Sequence, residues 1–183
     1  ESRHRLGYSP NLLLDESDTT GINQLWVGDI TYVPLADRTF SYLATLMDRH
    51  SRRIIGWHLA EDMTESLVLH VLRQAIRTRQ PPVNAIHHTD RGGEYAGREY
   101  RRMLQRAAMR QSMNRADNCY DNAFMESCFG TIKTEMEMVE YGNHRTAEKE
   151  IAEYIAYYNT QRKHSGISYL TPANFEVSLG RSI

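Results

Sequence analysis

The hydrophobic period of the sequence changes from that of strands to that of a helix about a third of the way along the chain. This change most strongly limits the folds open to the chain. Before it, short turns separate three runs rich in β-branched and aromatic residues, 24–35, 39–50 and 52–61. This pattern predicts an antiparallel meander. After it, residues 64–79 carry apolar side chains at helical spacing and end at Gln80-Pro81-Pro82, which predicts a helix.

The rest of the chain alternates helices with two short strands. We predict strands at 83–90 and 109–113, and helices at 97–108, 121–138 and 146–163. The order β-β-β-α-β-α-β-α predicts an α/β fold, a mixed five-stranded sheet flanked by helices. It is compatible with a ribonuclease H-like architecture.

The amino-acid composition of the chain excludes few kinds of binding partner. The 183 residues suit one domain, and 22 Lys and Arg against 23 Asp and Glu give a net charge of −1, without the basic excess of a general nucleic-acid coat. No apolar run approaches the ~20 residues that span a bilayer, and no signal peptide opens the chain, so we expect no membrane partner. Cys119 and Cys128 lack the spacing of a zinc site or a disulfide framework, which favours a reducing, cytoplasmic setting.

One carboxylate, that of Asp29, lies in a stretch of sequence where burial would be energetically unfavourable for it. Asp29 interrupts the run 25–33, which is largely apolar on both faces, as in a central strand. A buried, unpaired carboxylate is costly, and no basic residue in the same run could neutralise it. A carboxylate that binds a cation is the favoured interpretation. The alternative is an Asp hydrogen-bonded to Thr or backbone groups at a bulge.

Two further carboxylates are ambiguous when taken singly. Asp90 ends a short strand before a Gly-containing loop, where ligands gather in α/β sheets but turn residues are also common. Glu126 shares a helix face with Lys133, and for this helix alone a solvated face is the favoured interpretation. Together, Asp29, Asp90 and Glu126 form a set of oxygen ligands if they converge. Such a set suits Mg²⁺ or Mn²⁺ better than Zn²⁺.

Four segments resemble the integrase-type transposases of bacterial insertion sequences, relatives of the retroviral integrases. They are LWVGDITYVP around Asp29, HHTDRGGEY around Asp90, NRADNCYDNAFMESCFGTIKTE around Glu126, and YYNTQRKHSGISYLTPANF near the end. Between Asp90 and Glu126 lie 126 − 90 − 1 = 35 residues, the family's spacing for its second Asp and its Glu. Lys133 matches the family's basic residue seven positions after the Glu. The resemblance covers roughly 23–176.

The resemblance implies an Asp-Asp-Glu polynucleotidyl transferase with a ribonuclease H-like core. It would nick DNA at the ends of an insertion sequence and join the freed 3′-hydroxyl to another strand. Asp29 and Asp90 would hold two Mg²⁺ or Mn²⁺ ions jointly, and Glu126 would complete the site. The implied partners are element-end and target DNA in the bacterial cytoplasm. Joining two ends needs two active sites, so we expect a homo-oligomer on DNA, with 146–163 and 1–22 as candidate contacts.

Further residues are candidates for DNA contact. They are Lys133 on the Glu126 helix, Arg115, Asn118, Tyr120 and Asn122 in the loop before it, and Tyr158, Asn159, Arg162 and His164 in the tail. For the tail residues, contact with another protomer or a purely structural role stays open. A helix face with Arg98, Arg101, Arg102 and Arg106 is either solvated or phosphate-binding. We expect His87 and His88 to pack or to support the site rather than to bind metal.

We divide the chain into three parts. Residues 1–22, which open on Glu1 rather than Met, are expected to be a linker or arm from a missing N-terminal DNA-binding region. Residues 23–140 are the expected catalytic core, and 141–183 a C-terminal helix and tail that pack on it. Two other functions stay open: a nuclease of this fold that only hydrolyses, and a catalytically inactive DNA-binding or assembly protein. Retention of the three carboxylates counts against the second.

Overall fold

The computed structural model describes residues 7–14, 19–115, 119–137 and 140–180. The elements are β1 (Leu25–Pro34), β2 (Phe40–Asp48), β3 (Ile54–Ala60), α1 (Glu65–Arg79), β4 (Ile86–Thr89), α2 (Arg98–Arg106), β5 (Arg110–Met113), α3 (Cys119–Glu137), α4 (His144–Thr160) and α5 (Pro172–Gly180). Short 3-10 helices lie at Leu12–Leu14 and Ser165–Ile167. The predicted strand and helix order is confirmed, and α5 follows it.

The five strands form one mixed sheet in the order β3-β2-β1-β4-β5. β1, β2 and β3 pair antiparallel, whereas β4 lies parallel to both β1 and β5. The predicted meander and mixed five-stranded sheet are therefore confirmed. β1 occupies the centre, which explains why its sequence is apolar on both faces.

Helices cover both faces of this sheet. The apolar cluster on one face joins Trp26 to α1 and α2, and the cluster on the other joins Val27 to α3 and α4. Successive residues of a strand point to opposite faces. The side chain of Asp29 therefore points, like that of Val27, toward the face that α3 covers. Gly28 lies on the opposite face.

Helix α4 buries its apolar stripe within the chain. Ala147, Ile151, Ile155 and Tyr158 all lie in the cluster beneath α3 and α4. The stripe that made this helix a candidate protomer contact is thus occupied by the chain's own core. Only the outer face of α4 is left for another protomer. No helix in the described ranges is long and apolar enough to cross a membrane.

The described part of the N-terminal arm lies along β5, the last strand of the sheet. The amide of Met113 donates to the Pro10 carbonyl at 3.2 Å, and the amide of Leu12 donates to Ser112 Oγ at 2.9 Å. Residues 7–14 therefore lie against the outer edge of β5, the side that pairing with another chain would use.

The carboxylate of Glu176 attaches α5 to α1 and to the turn between β2 and β3. Glu176 accepts two hydrogen bonds from the Arg79 guanidinium at 2.6 and 2.9 Å, one from Arg53 at 2.7 Å and one from Ser51 at 2.8 Å. Burial raises the pKa of Glu176, but these bonds and the charge of Arg79 outweigh it and lower the pKa overall. Glu176 is thus held as an anion that joins α5, α1 and the β2–β3 turn.

Candidate active site

Asp29 lies in the middle of β1 and is only 7% exposed. Burial raises its pKa above the ordinary value, the Lys133 ammonium lowers it, and the charge of Asp90 raises it again, with a net upward shift. The charged form of a buried carboxylate is favoured by a nearby cation, here Lys133, and by hydrogen bonds such as the one from the Ile30 amide. The surroundings of Asp29 therefore favour cation binding.

Asp90 directly follows β4, the strand that pairs in parallel with β1. The parallel register pairs Val27 with His88, and two residues further along both strands it brings Asp29 and Asp90 side by side. The effect of Asp90 on the pKa of Asp29 agrees with this placement. Asp90 Oδ1 also accepts a hydrogen bond from the Gly92 amide at 2.8 Å, which fixes the turn. Asp90 is thus a turn residue whose carboxylate also belongs to the site.

Glycine at position 28 leaves room for the side chains packed on the face of the sheet opposite Asp29. A Cβ on Gly28 would lie 3.0 Å from His87 Cε1 and 3.2 Å from Thr89 Cγ2, closer than ordinary packing. A larger residue at position 28 would therefore require these side chains to shift by a few tenths of an ångström.

Helix α3 brings Lys133, and not Glu126, to Asp29. The Lys133 Nζ lies 2.6 Å from Asp29 Oδ2. Glu126 is exposed. Because it precedes Lys133 by seven residues, its Cα lies about 10 Å from that of Lys133 along the axis of α3. In the described ranges, no three Asp, Glu, His or Cys residues lie close enough to hold a metal ion together. The structure thus groups Asp29, Asp90 and Lys133, and it leaves Glu126 on the same flank of α3 but outside the group.

The two histidines of β4, His87 and His88, are buried and hydrogen-bonded to side chains of other segments. His87 Nε2 lies 2.5 Å from the Tyr100 hydroxyl, and complete burial lowers the pKa of His87 to about 3. The ring nitrogens of His88 lie 2.8 Å from Ser112 Oγ and 2.7 Å from Asn114 Oδ1. Both rings are engaged by neighbouring strands and helices, which agrees with the packing role predicted for them.

The loop before α3 lies only partly within the described residues. Arg115 is exposed, and Asn118 lies outside the described ranges. For Tyr120 and Asn122 the structure describes the helical backbone and not the side chains. The predicted DNA contacts of these four residues stay predictions.

The four tail candidates all make contacts within the chain. Tyr158 is 2% exposed and belongs to the core under α4. The Asn159 side chain accepts from the Ile54 amide and donates to the Ile54 carbonyl, both at 2.9 Å, and so completes the edge of β3. Arg162 donates to Glu135 on α3 at 3.1 Å and lies 3.3 Å from His164 Nδ1. These contacts attach the tail to the core, the structural alternative that the sequence left open.

The arginine face of α2 is mostly solvated. Arg98, Arg102 and Arg106 are exposed, and Arg101 is half-buried. Arg102 forms an exposed ion pair with Glu99 at 2.5 Å, which contributes little to stability. The structure leaves the phosphate-binding interpretation of this face as a prediction.

Comparison with known sequences gives a consistent family. The chain matches the family description "Integrase core domain" over residues 20–119 and again over 107–172. It is 39% identical over 169 residues to the transposase for insertion sequence element IS904 of Lactococcus lactis, which covers 91% of this chain and 66% of that protein. It is 40% identical over 175 residues to transposase InsF for IS3A of Escherichia coli, with 94% and 60% covered.

A third relative is an uncharacterised 31 kDa protein of insertion element IS600 from Shigella sonnei. It is 40% identical over 176 residues, with 95% of this chain and 64% of that protein covered. The chain thus spans 60 to 66% of the length of these three curated relatives.

Solved structures confirm the fold class. The HTLV-2 integrase catalytic core domain in complex with magnesium has a TM-score of 0.61 at 14% identity and covers 87% of this chain and 99% of that one. A simian T-cell lymphotropic virus intasome with PP2A subunit B56 gamma gives 0.65 at 18%, covering 84% and 54%. The catalytic core domain of BIV integrase gives 0.62 at 13%, covering 87% and 97%. The predicted ribonuclease H-like arrangement is therefore confirmed.

Proposed function

The chain belongs to the integrase core domain family, and from this premise we propose that it is the catalytic domain of an insertion-sequence transposase. Its activity is metal-dependent nicking of DNA at the ends of the element, followed by transfer of the freed 3′-hydroxyl to another strand. The observation that carries the proposal is the pair of carboxylates on adjacent parallel strands, Asp29 in the middle of β1 and Asp90 directly after the end of β4. Ligands gather at the carboxyl ends of parallel strands in α/β sheets, and β4 ends here.

The donor set fits a divalent metal ion. Both groups are hard oxygen donors, and the raised pKa of Asp29 reflects burial and the repulsion of Asp90, which a cation relieves. Asp29 and Asp90 hold two Mg²⁺ or Mn²⁺ ions in this proposal, and Glu126 completes the set when DNA is bound. The metal ions supply stabilisation of negative charge on the attacking and leaving oxygens.

Lys133 has two partners in the proposed cycle. It pairs with Asp29 in the chain alone, and it binds a DNA phosphate in the complex. Its side chain is 39% exposed, so it can turn toward solvent once another cation takes its place beside the buried Asp29. Lys133 therefore neutralises the buried acid before the reaction and holds the substrate during it.

Assembly on DNA belongs to the same proposal. Two element ends are joined in one reaction, so two active sites must be held together by a homo-oligomer on DNA. Light scattering of the full-length protein on end DNA measures this. One protomer per pair of ends would exclude the proposed assembly.

The activity is tested with labelled DNA carrying the ends of the insertion sequence that encodes the protein, with and without Mn²⁺. The expected result is a metal-dependent nick that leaves a 3′-hydroxyl, and joined products at later times. Asp29→Asn and Asp90→Asn abolish both steps. Asp37→Asn, the matched change of an exposed acid in the β1–β2 turn, leaves both intact.

The same assay separates the alternative functions. Nicking without any joined product, even with pre-nicked 3′-hydroxyl ends, identifies a nuclease that only hydrolyses. Binding of end DNA without either reaction, at any Mn²⁺ concentration, identifies a catalytically inactive assembly protein. Either result contradicts the proposed strand transfer.

A further inference from the structure

A cleft of about 580 Å³ opens between α3 and the segment that follows α4, and the proposed reaction does not use it. One wall is formed by Ser127 and Thr131 of α3, and the other by the segment that includes Arg162, Lys163 and His164. The Arg52 side chain, from the turn between β2 and β3, also lines it. The cleft is therefore built by three separate parts of the chain.

The cleft lies on the flank of α3 that faces away from the carboxylates. Thr131 precedes Lys133 by two residues, so at about 100° per residue their side chains point about 160° apart around the helix. Lys133 faces Asp29, and Thr131 faces the cleft. The body of α3, about 10 Å across with its side chains, separates the two places.

The lining of the cleft is cationic. Arg52, Arg162 and Lys163 contribute three positive charges, and no Asp or Glu belongs to the lining among the described residues. Glu135 offsets part of this charge through its ion pair with Arg162 at 3.1 Å. Ser127 and Thr131 add hydroxyl donors. Guanidinium, ammonium and hydroxyl groups together are the donors that bind phosphate oxygens.

His164 reports the positive potential of the cleft. Burial lowers its pKa, and the charges of Arg162 and Arg52 lower it further. Its Nε2 is buried and has no hydrogen-bond partner within the part of the chain that the structure describes. A bound anion would offset the repulsion and make protonation of the ring easier.

We propose that this cleft binds a phosphate group of the DNA backbone, separate from the phosphate that is cut. The nature of the ligand rests on the proposed function, whereas the anion site rests on the lining alone. Because α3 lies between the two places, the bound phosphate belongs to a flanking nucleotide or to the second strand. The cleft thus fixes the orientation of DNA across α3 and takes no part in the chemical step.

The test compares Lys163→Ala with Arg77→Ala, the same loss of one charge at an exposed position of α1, which covers the other face of the sheet. DNA affinity is measured without divalent metal at several salt concentrations. Loss of one phosphate contact makes the slope of log K against log salt shallower by about one and weakens binding about fivefold at 0.15 M salt. We expect this for Lys163→Ala and no change for Arg77→Ala. Nicking at saturating DNA stays unchanged in Arg77→Ala.

An NMR titration of His164 separates the anion site from the DNA-binding function. We expect the pKa of His164 to rise when either DNA or inorganic phosphate is added to the unsubstituted chain, and to rise less in Lys163→Ala. If DNA does not bind but phosphate shifts His164, the anion site stands and the proposed DNA function fails. Equal DNA affinity and salt slope in both variants, or a His164 pKa that neither ligand moves, overturns the proposal.

Discussion

The ammonium of Lys133 lies 2.6 Å from a carboxylate oxygen of Asp29, although 133 − 29 = 104 positions separate the two residues in the chain. The lysine comes from the helix that covers the sheet, and the aspartate from the central strand. A buried acid is thereby given a cation that is itself 39% exposed and able to leave. The pair holds the acid in place in the chain alone.

Replacing Asp29 by Asn should remove activity without loss of stability. The folded state raises the pKa of Asp29, so its ionisation costs stability as the pH rises from the unfolded value through the folded one. Asn avoids this cost, and the pair with Lys133 that it loses contributes less than a fully buried pair would, because the lysine is 39% exposed. We expect an equal or higher Tm at pH 7 and no metal-dependent nicking. A Tm that falls by more than about 8 °C would instead make Asp29 a structural residue.

The sequence predicts the strands and helices well because their signals are local. Three β-rich runs, one helical stripe and their turn residues give an element order that the structure reproduces to within a few residues at each end. The burial of Asp29 also follows from its own run, since a strand that is apolar on both faces must be central.

The partners of buried polar groups could not be predicted in the same way, because they come from distant segments. A search for a cation within the strand of Asp29 could not find Lys133, although the helical spacing did place Lys133 and Glu126 on one face. Asn159 gives no periodic signal, yet its amide closes the edge of β3 at Ile54. The Glu176 contacts likewise depend on α5, a helix that the sequence pattern did not predict.

Glu176 should make stability depend on pH. Its pKa is lowered in the folded state, so its contribution is present above the unfolded pKa and is lost as the pH falls through the folded one. Glu176→Gln should lower the free energy of unfolding by about 2 kcal/mol at pH 7, since charged hydrogen bonds to a half-buried group are lost. The difference should shrink as the pH falls below 4.5, the ordinary pKa of a Glu, and through the lowered pKa of the folded state. Urea unfolding at pH 7 and at a series of acidic pH values measures it, and Glu99→Gln, at an exposed pair, should change little.

Lys133→Ala should have opposite effects on metal and on DNA. Without the ammonium, Asp29 has no competing cation, so Mn²⁺ should bind more tightly to the chain in the absence of DNA. DNA affinity should fall, and its salt slope should become shallower by about one unit or less, because one phosphate contact is lost. Calorimetry with Mn²⁺ and DNA titrations at several salt concentrations measure the two effects. If affinity and slope for DNA are unchanged, Lys133 serves Asp29 alone.

Glu126→Gln should affect the chemical step and spare binding. The structure leaves Glu126 exposed and nearly two helical turns from Lys133. Removing the charge of a proposed metal ligand should slow nicking at saturating DNA about 100-fold, which corresponds to about 2.7 kcal/mol of transition-state stabilisation. DNA affinity should stay equal or rise, since one negative charge near the phosphates is gone. Glu99→Gln, an exposed helical Glu on α2, is the control. Nicking by Glu126→Gln at the unsubstituted rate would show that Asp29 and Asp90 act without Glu126.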